Sequence, residues 1–323
     1  MAHPALADLT RSAFAEDVRS GLTRQPQKEL PSKYLYDAVG SALFDVITVL
    51  PEYGVTRAEE RVLTTHATEL ARLVPEAGLI AELGSGSGRK TRRILEALGA
   101  RRRVTYCPIE ISAAALAQCE RSLGDLERVE IVGYEHEYLE GLRRVVEERR
   151  RGGERLLVMF LGSTIGNFRR LAAVHFLRDI RHLMRAGDAL LLGADLLKPE
   201  PVLIDAYDDP AGVTAAFNLN LLGRLNRELG ANFELREFEH EARFDPVASA
   251  VEMHLRSRRD QTVRIEAARC TIEFTEGETI WTEASHKYTL EDIAHMGDVA
   301  GFSLSAQWTD AEWPFAETLF VAR

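Results

Sequence analysis

Between Ala81 and Gly88 the chain reads Ala-Glu-Leu-Gly-Ser-Gly-Ser-Gly, directly after an apolar run and directly before a helical stretch. Glycine lacks the β-carbon that keeps a backbone away from a ligand, so Gly84, Ser85 and Gly86 form a loop against which a small molecule can lie. The order of residues narrows the ligand. A dinucleotide loop carries GxGxxG with an acid about 20 residues later, whereas here Glu82 stands immediately before the glycines. A second acid, Glu110, ends the next apolar run in Cys107-Pro108-Ile109-Glu110. A carboxylate at that place can accept hydrogen bonds from both hydroxyls of a ribose; the alternative is a helix cap shared with Ser112. Lys90, at the start of the following helix, offers a cation to a carboxylate on the ligand. No GxxxxGK[ST] loop is present, so nucleoside triphosphate hydrolysis is not expected. The nine histidines are scattered and Glu135-His136-Glu137 lacks a spaced partner, so no metal site is expected.

The elements that position these residues follow from periodicity. Short apolar runs at 79–83, 104–109, 129–132, 156–161 and 189–192 alternate with helical stretches at 90–98, 112–123 and 171–184. That rhythm predicts a parallel sheet with crossover helices, which places Gly84 and Glu110 at carboxyl ends of strands, where open α/β sheets bind ligands. Alternating residues at 302–308 and 316–322 predict an antiparallel pair at the edge of the same sheet. Helical spacing recurs at 5–23, 41–50, 56–73, 201–209 and 211–228, and Pro51-Glu52-Tyr53-Gly54 reads as a turn. The runs 233–244, 250–265 and 267–274 alternate, with Arg258-Arg259-Asp260-Gln261 as a polar hairpin tip, so a separate antiparallel sheet is expected. The expectation is an α/β fold with two domains. One comprises 57–196 plus 289–323 and holds the glycine loop; the other, a discontinuous α+β unit for the substrate, comprises 1–56 plus 197–288.

Composition excludes several classes of partner. Forty basic against fifty acidic residues give a net charge of −10, and a chain of 323 residues with 46% apolar residues buries an ordinary core. Nucleic acid and anionic lipid require a basic surface and are not expected; small-molecule partners are. Arg149 to Arg151, following two glutamates, reads as the solvated end of a charged helix. Cys107, Cys119 and Cys270 form no CxxC pair, residues 1–20 lack an apolar core segment, and no run approaches the roughly 18 apolar residues of a membrane helix. A cytoplasmic protein, favoured as a monomer, is the expectation.

The order of Glu82 and its glycines resembles the first motif of class I S-adenosylmethionine methyltransferases. Over nearly the whole chain the sequence resembles the bacterial histidine-specific N-α-methyltransferases, which make trimethylhistidine for ergothioneine synthesis. The resemblance is carried by Tyr36-Asp37-Ala38-Val39-Gly40-Ser41, Leu50-Pro51-Glu52-Tyr53, Glu82-Leu83-Gly84-Ser85-Gly86, Phe160-Leu161-Gly162-Ser163-Thr164-Ile165-Gly166-Asn167, 206–214 and Thr282-Glu283-Ala284-Ser285-His286-Lys287. It implies a class I Rossmann-like sheet and S-adenosylmethionine as methyl donor. It also implies that Tyr53, Asn167 and Tyr207 hold the carboxylate and amino groups of an amino acid, and that Glu283 and Ser285 hydrogen-bond an imidazole. Each role suits its residue, since tyrosine hydroxyls and a carboxamide bind a zwitterion without adding a full charge. Met253 matches the family residue that packs on the imidazole, with a plain core role as the alternative. Glu283 has the alternative of a surface residue paired with Lys287. Tyr36 and the Gly162 backbone match positions beside the reacting nitrogen. The sequence departs from the family at Tyr134-Glu135, where an Asp-Phe pair contacts adenine, at Glu110, where aspartate is usual, and at Gly54, where PEYY has its second tyrosine.

The implied reaction is in-line displacement by a neutral amine on a sulfonium methyl. Alignment can supply roughly 7 to 11 kcal/mol of such a barrier, so no strong base is needed. Two other readings stand beside it: methylation of another amino acid such as tryptophan, and a non-catalytic metabolite binder.

Overall fold

The computed structural model describes residues 4–149 and 154–323. They divide into two compact units, one of residues 1–54 and 198–285 and the other of 55–197 and 286–323.

The second unit is an eight-stranded sheet. Across it the order is Phe302–Thr309, Phe315–Ala322, Ala189–Asp195, Arg155–Phe160, Ala77–Leu83, Val104–Glu110 and Val129–Ile131, with the short strand Tyr134–Glu135 also on Val104–Glu110. Strands from Ala189–Asp195 to Val129–Ile131 run parallel, and the C-terminal pair is antiparallel. This is the class I methyltransferase arrangement, with the expected antiparallel pair at its edge. Alternation sends Leu79, Ala81, Leu83, Val158 and Phe160 into one apolar layer and Ile80, Leu157, Met159 and Leu161 into the other. Both faces are covered, which explains why the strands read as continuous apolar runs. Chain order reverses between Ala77–Leu83 and Arg155–Phe160, and the carboxyl ends at such a reversal are where open α/β sheets bind ligands.

Far from those ends lies a pair that corrects the reading of 149–151 as a solvated run. Arg149 is buried and makes two 2.7 Å bonds to Asp188, which also accepts from the Leu156 and Arg185 backbone N–H groups. Asp188 completes what a solvated reading could not foresee, a buried acid for the arginine. Arg150 and Arg151 lie outside the described residues.

The first unit has a four-stranded sheet in the order Lys28–Glu29, Thr279–His286, Ala250–Ser257, Phe238–Asp245, and a separate ribbon of Gln261–Ile265 with Cys270–Phe274. Residues 258–260 are therefore not a hairpin tip. Ala250–Ser257 pairs with Phe238–Asp245, and the chain then leaves that sheet to start the ribbon. Both sides of the polar stretch alternate alike, so periodicity could not reveal the change of sheet. Residues 233–237 form no strand; a 3₁₀ turn spans Leu235–Glu237. The helix Val213–Leu229 begins where Asp209 accepts the Val213 and Thr214 N–H groups at 3.0 and 2.7 Å. Those donors have no partner inside a helix, so Asp209 satisfies them and fixes the residues just before it.

Candidate active site

In the second unit the glycine loop follows Ala77–Leu83 as expected. Gly84 and Gly86 have φ of +74° and +52°, a region that favours glycine, and open space lies where a Cβ on Gly86 would stand. The loop is anchored from below. Glu82 is buried and accepts from the Thr91 hydroxyl at 2.7 and 2.9 Å and from the Tyr106 hydroxyl. Burial pushes its carboxyl up to about 7, against the opposing pull of those hydroxyls and of Lys90. Glu110 accepts from Gly86 N–H at 3.3 Å, Ile111 N–H at 2.9 Å and Ser112 N–H at 3.2 Å. Capping of the following helix falls to Ser112, whose Oγ accepts from Ala115. Three N–H groups do not exhaust the acceptor positions of a carboxylate, so Glu110 retains capacity for ligand hydroxyls.

Tyr134 and Glu135 pair with Ile109 and Glu110, so the departure from the family pattern lies at the same strand end. Tyr134 donates to Glu148 at 2.7 Å. Tyr138, a residue not singled out from sequence, lies against Gly84: a Cβ there would meet its ring at 3.3 Å. Burial and the charge of Glu110 push the Tyr138 hydroxyl up to about 12.

Lys90 is not on a helix, because the helix begins at Arg92 and Lys90 occupies the turn before it. Its ammonium pairs with the buried Glu59, whose other oxygen accepts from the Gly162 N–H. Glu59 thus joins the two loops that flank the chain reversal. Burial alone would lower the pKa of Lys90, but the charge and hydrogen bond of Glu59 hold it up. After Gly162, at φ +75°, comes Ser163 at φ +58°, a strained setting for a residue with a side chain. Its Oγ accepts from Asp195 N–H at 2.9 Å. Asn167 ends the 3₁₀ turn Thr164–Asn167, and His286 Nδ1 donates to the neighbouring Gly166 carbonyl at 2.9 Å. Lys287, entirely buried, pairs with Asp195 at 2.8 Å.

In the first unit, Tyr36, Tyr53 and Tyr207 form one aromatic cluster with Phe44 and Phe217. Tyr36 meets Phe44 at 5.4 Å and Phe217 at 5.5 Å, Phe44 meets Tyr53 at 6.3 Å, and Tyr53 meets Tyr207 at 6.2 Å. All four contacts are edge-on, the geometry that ring quadrupoles favour. The Tyr207 hydroxyl donates to Ser285 Oγ at 2.7 Å. Its carbonyl accepts from His240 Nε2 at 2.7 Å, while His240 Nδ1 accepts from Asn218 at 2.9 Å. That pattern requires a neutral ring, and burial lowers the His240 pKa accordingly. Met253 is buried on Ala250–Ser257, and its carbonyl accepts from Thr282 at 3.0 Å. Glu283 is half-buried on Thr279–His286, two residues from Ser285, with its carbonyl accepting from Trp281 Nε1 at 2.9 Å.

Tyr36, Tyr53, Tyr207 and Ser285 are thus linked within one unit, and Gly84, Ser85, Gly86, Glu110, Lys90, Tyr134, Glu135 and Gly162 lie at the strand ends of the other. Glu59 and Glu317, both fully buried, escaped the sequence reading. A signal existed for each: Glu59 stands on the apolar face of its helix with Val55, Val62 and Leu63, and Glu317 interrupts an apolar strand.

The described residues contain no group of acids, histidines or cysteines able to hold a metal ion, and no helix long and apolar enough to cross a membrane. The model of the S-adenosylmethionine-dependent histidine-specific methyltransferases matches residues 14–322. A histidine N-α-methyltransferase of Mycolicibacterium smegmatis is 41% identical over 98% of this chain and 97% of its own. One of Mycobacterium tuberculosis is likewise 41% identical, over 97% and 96%. Ergothioneine biosynthesis protein 1 of Neurospora crassa is 30% identical over 94% of this chain and 35% of its own. A methyltransferase sheet with an open glycine loop at its chain reversal, matched along almost its full length, leaves one assignment: the chain belongs to the S-adenosylmethionine-dependent histidine-specific methyltransferase family.

Proposed function

We propose that this protein transfers methyl groups from S-adenosylmethionine to the α-amino nitrogen of L-histidine, up to the trimethylated product, as in ergothioneine biosynthesis. The observation that carries the reading is the Tyr207–Ser285 hydrogen bond at 2.7 Å within the aromatic cluster of Tyr36 and Tyr53. It provides neutral hydroxyls and ring faces for an amino acid.

Gly84, Ser85 and Gly86 hold the donor by backbone, Glu110 takes its ribose hydroxyls, Lys90 its carboxylate, and Tyr134 and Glu135 flank its adenine. The donor supplies an electrophilic methyl on sulfur. Tyr53, Asn167 and Tyr207 bind the carboxylate and amino group of the substrate. Glu283 and Ser285 bind the imidazole, with Met253 against its face. The amine must be neutral to react, and desolvation among the rings and hydroxyls around Tyr36 lowers its pKa, with the Gly162 backbone beside it. Aromatic faces accommodate the quaternary ammonium as methyl groups accumulate. The two domains divide these tasks, with donor residues on 57–196 and 289–323 and most substrate residues on the remainder.

Incubation of the full chain with S-adenosylmethionine and a pool of the common amino acids, followed by mass spectrometry, tests this. Mono-, di- and trimethylated histidine are expected. Methylation of tryptophan in preference to histidine, or of nothing, overturns the reading.

A further inference from the structure

Helix Val55–Leu73 and strand Phe315–Ala322 each bring one glutamate, Glu59 and Glu317, to the same buried spot beneath the loops at the chain reversal. Both oxygens meet at Gly193. A Cβ added there would lie 2.9 Å from Glu317 Oε1 and 2.9 Å from Glu59 Oε1. With both groups written as carboxylates, neither oxygen of Glu317 has a hydrogen-bond donor among the described residues. The nearby cation is Lys90, and Glu59 already pairs with it while accepting the Gly162 N–H. Two buried carboxylates beside one ammonium leave an uncompensated charge, which costs far more than a shared proton.

We propose that Glu59 and Glu317 share one proton, and that this pair is the positioning element that sets Lys90 for the methyl donor and fixes the Gly162 loop beside it. Glu317 carries the proton and donates it to Glu59. The remaining acceptor positions of Glu59 hold Lys90 and Gly162, and the three side chains together are neutral. Burial first and the neighbouring Glu59 second push the Glu317 carboxyl up, in keeping with a protonated acid. Titratable groups nearby include Glu82, which Tyr106 and Thr91 occupy, and His66, which lines a small cavity with Glu317 and pairs with the exposed Glu69 at 3.0 Å. The inference rests on the donor-binding role proposed for Lys90, but not on histidine as the acceptor.

The test uses the full chain. Infrared spectra of the wild type near neutral pH should contain the carbonyl stretch of a protonated carboxyl group, and Glu317→Gln should remove part of it. Glutamine at 59 would point an amide donor at either Lys90 or Gly162, so Glu59→Gln should weaken S-adenosylmethionine binding about tenfold by calorimetry. The histidine KM should change less than twofold, which a general loss of folding would not produce. A Gly193→Ala chain, wedged between the two acids, should show the same direction if Glu59→Gln proves unstable. An unchanged infrared band in Glu317→Gln, or donor affinity within twofold of wild type in both other variants, overturns the pair. Wild-type protein that binds the donor but fails to methylate histidine would instead overturn the substrate reading and leave this one intact.

Discussion

The two units hold their candidate residues by opposite means. In residues 1–54 and 198–285, Tyr36, Tyr53 and Tyr207 stand on ring edges, and the polar contacts among them and Ser285 are neutral. In the other unit, Lys90 and Gly162 are set by Glu59, Glu82 is clasped by two hydroxyls, and Lys287 and Arg149 are matched to Asp195 and Asp188. The roles proposed above account for the contrast. An amine that must shed a proton is best surrounded by groups that do not favour its charge, whereas loops that grip a charged donor gain from fixed charges.

The sharpest way to break that contrast is at the one charged side chain assigned to the neutral pocket. Glu283→Ala should lower the preference for histidine over tryptophan, read as the ratio of kcat/KM values, by up to roughly 10⁴-fold. An unchanged ratio would remove Glu283 from substrate choice. Next in size is the buried pair of the charged unit. Asp188→Ala leaves Arg149 without its acid and should cost about 3 to 5 kcal/mol in denaturant unfolding. A cost below about 1 kcal/mol would mean that charge does not hold this unit together.

The third effect depends on pH. The Glu82 carboxyl rises from 4.5 to about 7 in the fold, so the folded chain binds that proton more tightly than the unfolded chain. Its contribution is fully present below pH 4.5 and is lost as pH rises toward 7, a change of about 3 kcal/mol for a group so buried. Unfolding midpoints measured across that range should fall, and Glu82→Gln should flatten the trend. Asp188 acts in the reverse sense: burial would raise its carboxyl, but Arg149 and two backbone N–H groups hold it below 3.8, so its stabilisation is lost in strong acid. The smallest effect belongs to the tyrosine cluster. Tyr207→Phe removes one hydroxyl–hydroxyl bond and should raise the histidine KM about tenfold, with donor affinity unchanged in calorimetry.

Much of the glycine loop was legible because its geometry is local. Glycines after an apolar strand and an acid at the next strand end are read directly from order, and Gly84, Gly86 and Glu110 occupy the strand ends that this order requires. What escaped was set by partners distant in sequence. Arg149 reads as solvated until Asp188 meets it, and Lys287, offered as a partner for Glu283, is taken by Asp195. The stretch at 258–260 looks like a hairpin because alternation reports which face a residue takes and not which sheet it joins. Glu59 and Glu317 were visible only as acids in apolar settings, a pattern that flags burial but not the neighbour that makes burial tolerable.

The Arg149–Asp188 pair has a mechanical consequence. Asp188 clamps the Leu156 amide at the start of one parallel strand and the Arg185 amide in the turn that leads into the next, opposite the glycine loop. With Glu59 and Asp195 tying the loops at the opposite rim, these two strands are fastened at both ends, like a plank nailed at each tip. Amide exchange at Leu156 and Arg185 should accordingly quicken in Asp188→Ala, while Gly162, held by Glu59, keeps its wild-type rate.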